Sequence, residues 1–584
     1  MTTEQAVTPL GVRLLHAQAA LQDGDIDRAA QAFNQLIADA PGLRQARYGL
    51  ASALLAAGDR EQAEKVLESA RVLHAAEVLR GADADLARCQ NDAGYAVQVA
   101  DIFYGAGMVA VASVIYGLAV AAGGMTLQRL IQYGLSLHHQ GRAEDAIAVF
   151  RVVADSTDNA AAAEFLLPAH FPARDGVERH AAEARRWAER FTAGRPEPGF
   201  ANAPTAGRRL RIGYVAPSFT NTQSRQFLAP LLDNHDPEAV EVFLYPQNDE
   251  SGAWPAPLHM RPIGQLADRE ACARIRGDRI DVLVDTRGHN AGSRLTLFAL
   301  RPAPVQVSWL NYQQTTGVAA IDYTLHSDSV HQPHMQDLFC ERVWRMGVTS
   351  APFRPDRPPS LAPTPMARLG YPTFGSFNHP SKLSPETIAL WSAILRRSPH
   401  ARLVLKYRYF MDPVLQAATA AQFAAHGVDP VRLQFRDHTV AEAYAAEFDQ
   451  IDLALDPTPA PGGTTSLEAL AHGVPVLTLA GDTYYSRIGV ELLTGAGLPD
   501  LVAHSKAEYV DTAVAVTADV PRLQALRDRV APGFAGAPYR DEKAMARAFE
   551  AAFRQMFDLW RHAQPAARQP AGVPAEPAVC AVRP

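Results

Sequence analysis

The segment 461–465, Pro-Gly-Gly-Thr-Thr, is the part of this sequence best suited to bind a phosphate. It follows the apolar run 451–456, which is typical of a buried strand, and precedes a helix that we predict to begin near Ser466. A glycine turn between a strand and a helix leaves backbone N–H groups open to an anion. Glu468, on the first helical turn, is placed to accept hydrogen bonds from a ribose. The alternative is a strand–helix turn without a ligand.

Short apolar runs alternate with helical segments from residue 210 onward, which predicts parallel β-sheets with crossover helices. The first group of strands falls at 210–215, 240–245, 280–285 and 305–310. After a proline-rich connector at 355–365, the second group falls at 373–377, 402–406, 432–435, 451–456 and 474–478. Two doubly wound halves of this kind bind ligands at the carboxyl ends of their strands.

The N-terminal part of the chain contains a repeat. Four glycines, each placed after an apolar helical stretch, share an alanine at the fifth position after them and a large apolar residue at the ninth: Gly24, Gly58, Gly107 and Gly141. The step from the first to the second equals the step from the third to the fourth, and it is the period of a tetratricopeptide array. The alternative is an alanine-rich helical bundle. An array of helical hairpins predicts a polypeptide partner.

Composition and charge exclude several classes of protein. The 584-residue chain has a formal net charge of −7, which gives no support for nucleic-acid binding. Its four cysteines are far apart and indicate a reducing compartment or free thiols rather than a disulfide framework. No leader-like N-terminus and no apolar run long enough to span a membrane is present, so we expect a cytoplasmic protein without membrane insertion.

Several segments in one order resemble the O-linked N-acetylglucosamine transferase family and its Spindly branch. These segments are 210–215, 299–307, 374–378, 462–470, 473–478, 486–487 and 489–503. The resemblance implies an α plus α/β fold class, in which a tetratricopeptide-like array precedes a GT-B fold of two Rossmann-like domains. The implied domains are 1–195 for the repeats, 208–360 for the acceptor side, 366–562 for the nucleotide sugar, and a disordered tail at 563–584.

The family also implies an inverting, metal-independent transfer of a sugar from a nucleotide to Ser or Thr, with no cofactor. By position, Lys382 would neutralise the leaving phosphate. The implied nucleotide-sugar residues are Asn378, His379, Gly462, Gly463, Thr464, Thr465, Glu468 and Arg487. His379 could equally be a turn residue before a proline, and Arg487 a surface ion-pair partner.

The chain departs from the family pattern at three places. The turn at 218–224 has no histidine where the family usually has one, and Gly463 stands where the sugar-transferase branch has another. The turn at 312–317 replaces a proline-containing version. The catalytic base is therefore open: His289 and Asp285, at the end of a predicted strand, are candidates, and loop capping is the alternative for each.

These features predict a protein O-glycosyltransferase with a GlcNAc- or fucose-type donor and an acceptor protein recruited by the repeats. The lost histidines leave open a transferase that moves a nonulosonic acid from CMP to flagellin, since a single phosphate then needs binding. A reading of another class is a non-catalytic repeat scaffold with a degenerate transferase domain.

Overall fold

The computed structural model describes most of the chain outside its two ends. The described residues are 9–22, 25–41, 43–57, 59, 62–63, 65–66, 88–173, 176–193, 199–202, 207–250, 254, 258–347, 349–356, 362–437 and 441–563. The repeat glycines Gly24 and Gly58 lie outside them, as do residues 564–584 of the expected tail and parts of both connectors.

The N-terminal part is an array of antiparallel helices. Its main helices are Pro9–Gln22, Ile26–Asp39, Arg44–Ala56, Ala93–Gly105, Val109–Ala121, Leu127–His138 and Ala143–Ser156, followed by Ala160–Ala163, Leu166–Ala169 and Gly176–Phe191. Phe150, the large residue at the ninth position after Gly141, packs against the facing helix at a small residue: a Cβ on Gly134 would lie 2.5 Å from its ring. The small residue thus lets the large one of the next helix pack against its backbone.

The first sheet has seven parallel strands in the order β3-β2-β1-β4-β5-β6-β7. The strands are β1 Leu210–Val215, β2 Val240–Tyr245, β3 His259–Met260, β4 Val282–Asp285, β5 Val305–Ser308, β6 Tyr323–His326 and β7 Arg342–Arg345. Its helices are Ala229–Leu232, Asp268–Gly277, Leu295–Ala299 and Glu542–Ala563, with a π-helical turn at Ser224–Leu228 and a 3₁₀ turn at Pro538–Arg540.

The C-terminal helix Glu542–Ala563 packs in the core of this first sheet. The domain boundaries implied by the family resemblance place it in the nucleotide-sugar domain, 366–562. Phe549 and Phe553 on this helix are fully buried, and the ring of Phe549 meets Trp309 edge-on at 4.7 Å. An amphipathic helix covers whichever sheet face is left open to it, so chain order does not decide its partner.

The second sheet has six parallel strands in the order β10-β9-β8-β11-β12-β13. The strands are β8 Thr373–Ser376, β9 Arg402–Lys406, β10 Leu433–Arg436, β11 Leu453–Leu455, β12 Val476–Leu479 and β13 Val502–Ala503. Its helices are Met366–Leu369, Pro385–Arg397, Pro413–Ala425, Ala441–Phe448, Thr464–Ala471, Ile488–Gly495, Lys506–Val516 and Val520–Ala535. Five 3₁₀ turns accompany them in the described part: Pro380–Lys382, Arg408–Met411, Pro430–Arg432, Tyr485–Arg487 and Pro499–Leu501. We call the described residues of 362–537 the second lobe.

The chain forms two compact units. Among the described residues, one contains the array to Trp187 and those of 332–338 and 362–537; the other contains those of 188–331, 339–356 and 538–563. The array therefore belongs to the same unit as the second lobe. Within the described residues, no helix combines the length and apolar character needed to cross a membrane.

The predicted parallel sheets are confirmed, and β1 and β2 begin and end where the sequence places them. Strands β3, β6, β7 and β13 were not predicted from the sequence. These strands are short, and β3, β7 and β13 lie at sheet edges, where the apolar run that marks a buried strand is short or broken.

Candidate functional site

The strand order of the second sheet reverses between β8 and β11, which lie side by side. In an open parallel sheet, the loops at such a reversal diverge to opposite faces and leave a crevice at the strand ends. The loop after β8 carries Asn378 and Lys382, and the loop after β11 carries Asp456 and the glycine turn. The sheet therefore brings together segments that are far apart in the chain.

Lys382 is held by a short turn. The 3₁₀ helix Pro380–Lys382 is capped by His379, whose Nδ1 accepts from the N–H of Ser381 at 3.0 Å. From this turn, Nζ of Lys382 donates to the carbonyl oxygen of Pro461 at 2.7 Å and lies 3.4 Å from Oδ1 of Asn378. The amine thus sits at the entrance of the glycine turn.

Gly462 is required for the close packing of that turn. A Cβ here would lie 2.0 Å from Oγ of Ser466 and 2.8 Å from Oδ1 of Asp456. Asp456 Oδ1 accepts from the N–H of Gly462 at 3.1 Å and from the hydroxyl of Ser466 at 2.7 Å. Gly463 differs, because the nearest atom to its Cβ position is 3.9 Å away, on Ile488.

The helix after the turn begins at Thr464, slightly earlier than the predicted start at Ser466. The first N–H groups of a helix have no intrahelical partner. The N-cap residue of this helix is Gly463, which has no side chain to accept hydrogen bonds from them. Both threonines are half-buried, and Oγ1 of Thr465 donates to Asn378 at 2.9 Å. This hydrogen bond joins the two loops a second time.

A cavity lies beside these groups at the strand ends. It is lined by Gly375, Ser376, Phe377, Asn378, Phe448, Ile451, Ala454, Leu455, Asp456, Thr465, Ser466 and Ala469. Glu468 lies one helical turn further along, where its Oε2 accepts from the hydroxyl of Tyr444 at 3.2 Å. The cavity thus has aromatic and polar residues in its wall and lies beside the glycine turn.

Burial perturbs both charged groups of the site. It lowers the pKa of Lys382 to about 8, while the nearby carboxylate of Asp456 acts in the opposite direction. Burial raises the pKa of Asp456 to about 6, against the hydrogen bonds from Ser466 and Gly462 and the charge of Lys382. Between these two values the amine is a cation and the carboxylate an anion, so each supports the other's charge.

His379 and Arg487 also lie in this lobe. His379 acts as the cap of the lysine turn, and burial holds its pKa well below the ordinary histidine value. Arg487 donates to the carbonyl of Gly481 at 3.1 Å and directly precedes Ile488, which contacts the Gly463 position. Of the sequence-predicted residues, Asn378, Lys382 and the turn residues thus form a connected cluster, with Arg487 beside it.

The two base candidates lie at the reversal of the first sheet, between β1 and β4. Asp285 is buried and accepts from the N–H groups of Arg287 at 3.1 Å and Gly288 at 2.8 Å. Burial raises its pKa to about 6. His289 is also buried, and its Nε2 lies 2.7 Å from the carbonyl oxygen of Thr316. Since a carbonyl only accepts, that nitrogen carries the proton.

Three carboxylates that organise these loops were missed by the sequence analysis. Asp456 could have been found, because it directly ends a buried apolar run at a strand's carboxyl end. Glu341 accepts from the hydroxyl of Thr315 and the N–H of Thr316, both at 2.7 Å. Glu250 accepts from the N–H of Phe219 at 2.8 Å. These two are distant in the chain from their partners, and no local pattern marks them.

Among the residues that the structure describes, no group of three or more His, Cys, Asp or Glu side chains is arranged to hold a metal ion.

Comparison with known proteins places this geometry in context. The family model named Glycosyl transferase family 41 matches residues 192–350 and 370–546, and a tetratricopeptide repeat model matches 20–77. A solved mutant of the Thermobaculum terrenum O-GlcNAc transferase is 29% identical, with a TM-score of 0.72, and covers 96% of this chain and 99% of that one. The predicted fold class, a repeat array before a GT-B fold, is confirmed.

Curated relatives agree with this result over part of their length. One is the rice protein (Oryza sativa subsp. japonica) named probable UDP-N-acetylglucosamine–peptide N-acetylglucosaminyltransferase SPINDLY, 32% identical over 399 residues. The match covers 65% of this chain and 42% of the relative. The UDP-N-acetylglucosamine–peptide N-acetylglucosaminyltransferase of Caenorhabditis elegans is 23% identical over 483 residues, covering 62% and 42%. The chain thus spans about four tenths of the length of these relatives.

Proposed function

This chain belongs to glycosyl transferase family 41, and on that premise we propose that it is an inverting protein O-glycosyltransferase. It would move a sugar from a nucleotide to a Ser or Thr hydroxyl of an acceptor protein. The observation that carries the proposal is the position of the Lys382 amine, 2.7 Å from the Pro461 carbonyl at the entrance of the glycine turn. A cation there faces an open helix N-terminus, and both favour an anion.

The leaving group is the first task of the site. In the reaction, the bond from the anomeric carbon to the phosphate oxygen breaks, and that oxygen takes the electron pair. The ammonium of Lys382 and the first N–H groups of the helix Thr464–Ala471 stabilise the new negative charge. Donors fixed before the reaction need no reorganisation at the transition state, and each such donor contributes about 10²–10³ in rate.

The hydroxyl of Thr464 and the backbone N–H of Thr465 add donors for the phosphates, since the single hydroxyl proton of Thr465 is donated to Asn378. Asn378 Oδ1 accepts from Thr465 at 2.9 Å, which fixes the direction of that hydroxyl. Glu468, near the cavity, is the proposed acceptor for ribose hydroxyls, and Arg487 the proposed second cation. His379 contributes by holding the turn that carries Lys382.

The acceptor hydroxyl attacks the anomeric carbon from the opposite face, so the configuration inverts and the proton goes to a general base. We propose Asp285 and His289 as candidates. His289 would take the proton on Nδ1, since Nε2 already carries one. Asp285 has a pKa of about 6, which suits a base near neutral pH, although both its oxygens also hold the following loop.

The donor is inferred from the relatives. Both curated relatives carry UDP-N-acetylglucosamine in their names, which favours UDP-N-acetylglucosamine over a GDP-fucose-type donor for this chain. The nonulosonic-acid alternative rests on the missing histidine at Gly463, where the structure leaves space for a side chain. Isothermal titration with UDP, GDP and CMP tests the three: we expect UDP to bind most tightly. Tight binding of CMP alone would support the CMP-nonulosonate donor instead.

The repeat array is the proposed recruiter of the acceptor, and the cytoplasm the proposed setting. Intact-mass spectrometry of proteins from cells with and without this chain would identify the acceptor and the mass of the transferred sugar. We expect an added N-acetylhexosamine mass. Flagellin carrying a nonulosonic acid would instead support the alternative, and no transfer with any donor would favour the scaffold.

A further inference from the structure

One edge of the helical array lies against the second lobe through equivalent turns of successive repeats. Gly107 and Gly141, one repeat apart in the sequence, both have positive φ, +83° and +78°. A Cβ on Gly107 would lie 3.4 Å from Sδ of Met411, and one on Gly141 would lie 3.1 Å from the carbonyl oxygen of Pro380. Two of the four glycines that mark the repeat in the sequence, Gly107 and Gly141, are therefore also contact points with the second lobe.

The contact at Gly141 falls on the turn that carries the site lysine. Its Cβ position is 3.1 Å from the carbonyl of Pro380 and 3.4 Å from that of Leu383. These two residues flank Lys382, whose amine reaches Pro461. The array turn is thus in van der Waals range of the backbone that sets the position of the amine.

Aromatic rings extend this contact. The ring of His139, close to Gly141 in the chain, stacks on Tyr409 at 4.6 Å and lies 5.0 Å from the ring of His379. Burial lowers the pKa of His139 to about 3 and that of His138 to about 4, so both stay neutral and pack as flat rings. His379 is the cap of the lysine turn. The array therefore touches this turn at its backbone and at its cap.

A buried carboxylate fixes the same edge. Asp412 caps the helix Pro413–Ala425 of the second lobe, accepting from the N–H of Val414 at 2.9 Å. Its other oxygen accepts from the N–H of Ala110 at 2.7 Å, at the start of the array helix Val109–Ala121. The fully buried side chain of Asp412 thus accepts hydrogen bonds from the N-termini of two helices, one in the array and one in the second lobe. These hydrogen bonds resist sliding of the array along the second lobe.

We propose that the array turn 138–141 positions Lys382, so that the repeat array is a structural part of the donor site as well as the recruiter of the acceptor. His139 and Gly141 are positioning residues, since they act through the turn Pro380–Lys382. This inference rests on the proposed role of Lys382 in transfer, but its first test needs no activity.

The test compares Gly141→Ala with Gly123→Ala in the full chain. Gly123 has a similar φ of +73° at another turn of the array, with nothing within 4 Å of its Cβ position. Both alanines bear the same left-handed strain, but only the one at 141 presses on the lysine turn. A brief pulse of acetic anhydride followed by mass spectrometry measures how fast Lys382 is modified, with the exposed Lys506 as an internal reference.

We expect Gly141→Ala to change the modification rate of Lys382 relative to Lys506 several-fold, and Gly123→Ala to leave it unchanged. Transfer by Gly141→Ala should fall about tenfold or more, because small displacements of a catalytic group are costly in rate. Equal Lys382 rates in the wild type and both variants would overturn the inference. If Gly141→Ala changes the Lys382 rate but the wild-type protein transfers no sugar, only the proposed function is overturned.

A second pair of variants covers the case in which Gly141→Ala does not fold. His139→Phe keeps a flat ring against Tyr409, whereas His139→Ala removes it. We expect the alanine variant to shift the modification rate of Lys382 and the phenylalanine variant to restore the wild-type rate. If both variants keep the wild-type rate, His139 does not position the lysine, and the inference is wrong.

Discussion

The amine of Lys382 donates to the carbonyl oxygen of Pro461 at 2.7 Å, which joins the loop after β8 to the glycine turn after β11. This one hydrogen bond places a cation where the backbone of the next helix leaves its N–H groups open. Asp456, buried beneath the turn, supports both the loop and the charge of the lysine. The predictions below test these relationships.

Replacing Lys382 with Met should lower the transfer rate by about 10²-fold or more, because the charge that stabilises the leaving phosphate is lost. The melting temperature should hold, since burial already disfavours the charged amine and lowers its pKa to about 8. Lys506→Met is the matched control. Its side chain is 67% exposed and pairs with Glu386 at the surface, so activity should stay at the wild-type level. Full activity of Lys382→Met would contradict the proposed mechanism.

Gly462→Ala should abolish nucleotide binding, because its Cβ would lie 2.0 Å from Oγ of Ser466 and force the turn open. Isothermal titration with UDP measures this. The control is Gly277→Ala, at the end of the helix Asp268–Gly277, where no atom lies within 4 Å of the new methyl group. The UDP affinity of Gly463→Ala should lie between those of Gly462→Ala and Gly277→Ala, because the atom nearest to its new methyl group is 3.9 Å away. Equal UDP affinity in Gly462→Ala and the wild type would show that the turn does not hold the nucleotide.

The transfer rate should be highest between about pH 6 and about pH 8. As pH rises through about 8, Lys382 loses its proton and the site its cation. As pH falls through about 6, Asp456 gains a proton and no longer supports the amine or the turn. Asp456→Asn should move the alkaline limb to lower pH, because the carboxylate raises the pKa of Lys382. A pH–rate profile of the two proteins measures the shift, and an unmoved alkaline limb would contradict the pairing.

Asp285→Asn separates loop capping from base catalysis. The amide places N–H groups against the backbone N–H of Arg287 or Gly288, so unfolding free energy should fall by about 1–3 kcal/mol. If Asp285 is also the base, the acidic limb near pH 6 should change and the rate fall about 10²-fold or more. Thermal melting and pH–rate profiles measure the two effects. His289→Gln provides the comparison. If His289→Gln lowers the transfer rate more than Asp285→Asn does, and Asp285→Asn leaves the acidic limb of the pH–rate profile unchanged, the base is His289.

Much of the fold could be predicted from the sequence because its signals are local. The repeat glycines recur with the period of a helical hairpin, and β1 and β2 are mainly apolar segments, each with one charged residue, that have the predicted ends. The glycine turn was also found from its own residues, and only the helix start moved, from Ser466 to Thr464. Glycine permits a tight turn directly after a strand, and the first N–H groups of the helix that follows have no intrahelical partner. Both properties depend only on the residues of the turn.

Other relationships depend on which distant segments pack together. Asp456 and Lys382 share a site only because β8 and β11 are neighbours at the reversal of the sheet. The helix Glu542–Ala563 covers the first sheet although it follows the second in the chain.

The sequence by itself determined the periods of the helices and strands and the glycine turn between a strand and a helix, and the family resemblance indicated the lysine to test. Only the tertiary structure decided that Asp456 supports that lysine and that Gly141 of the array contacts its turn. The physical reason is that periodicity and residue type report what each segment buries, whereas the choice of partner depends on strand order and packing between segments far apart in the chain.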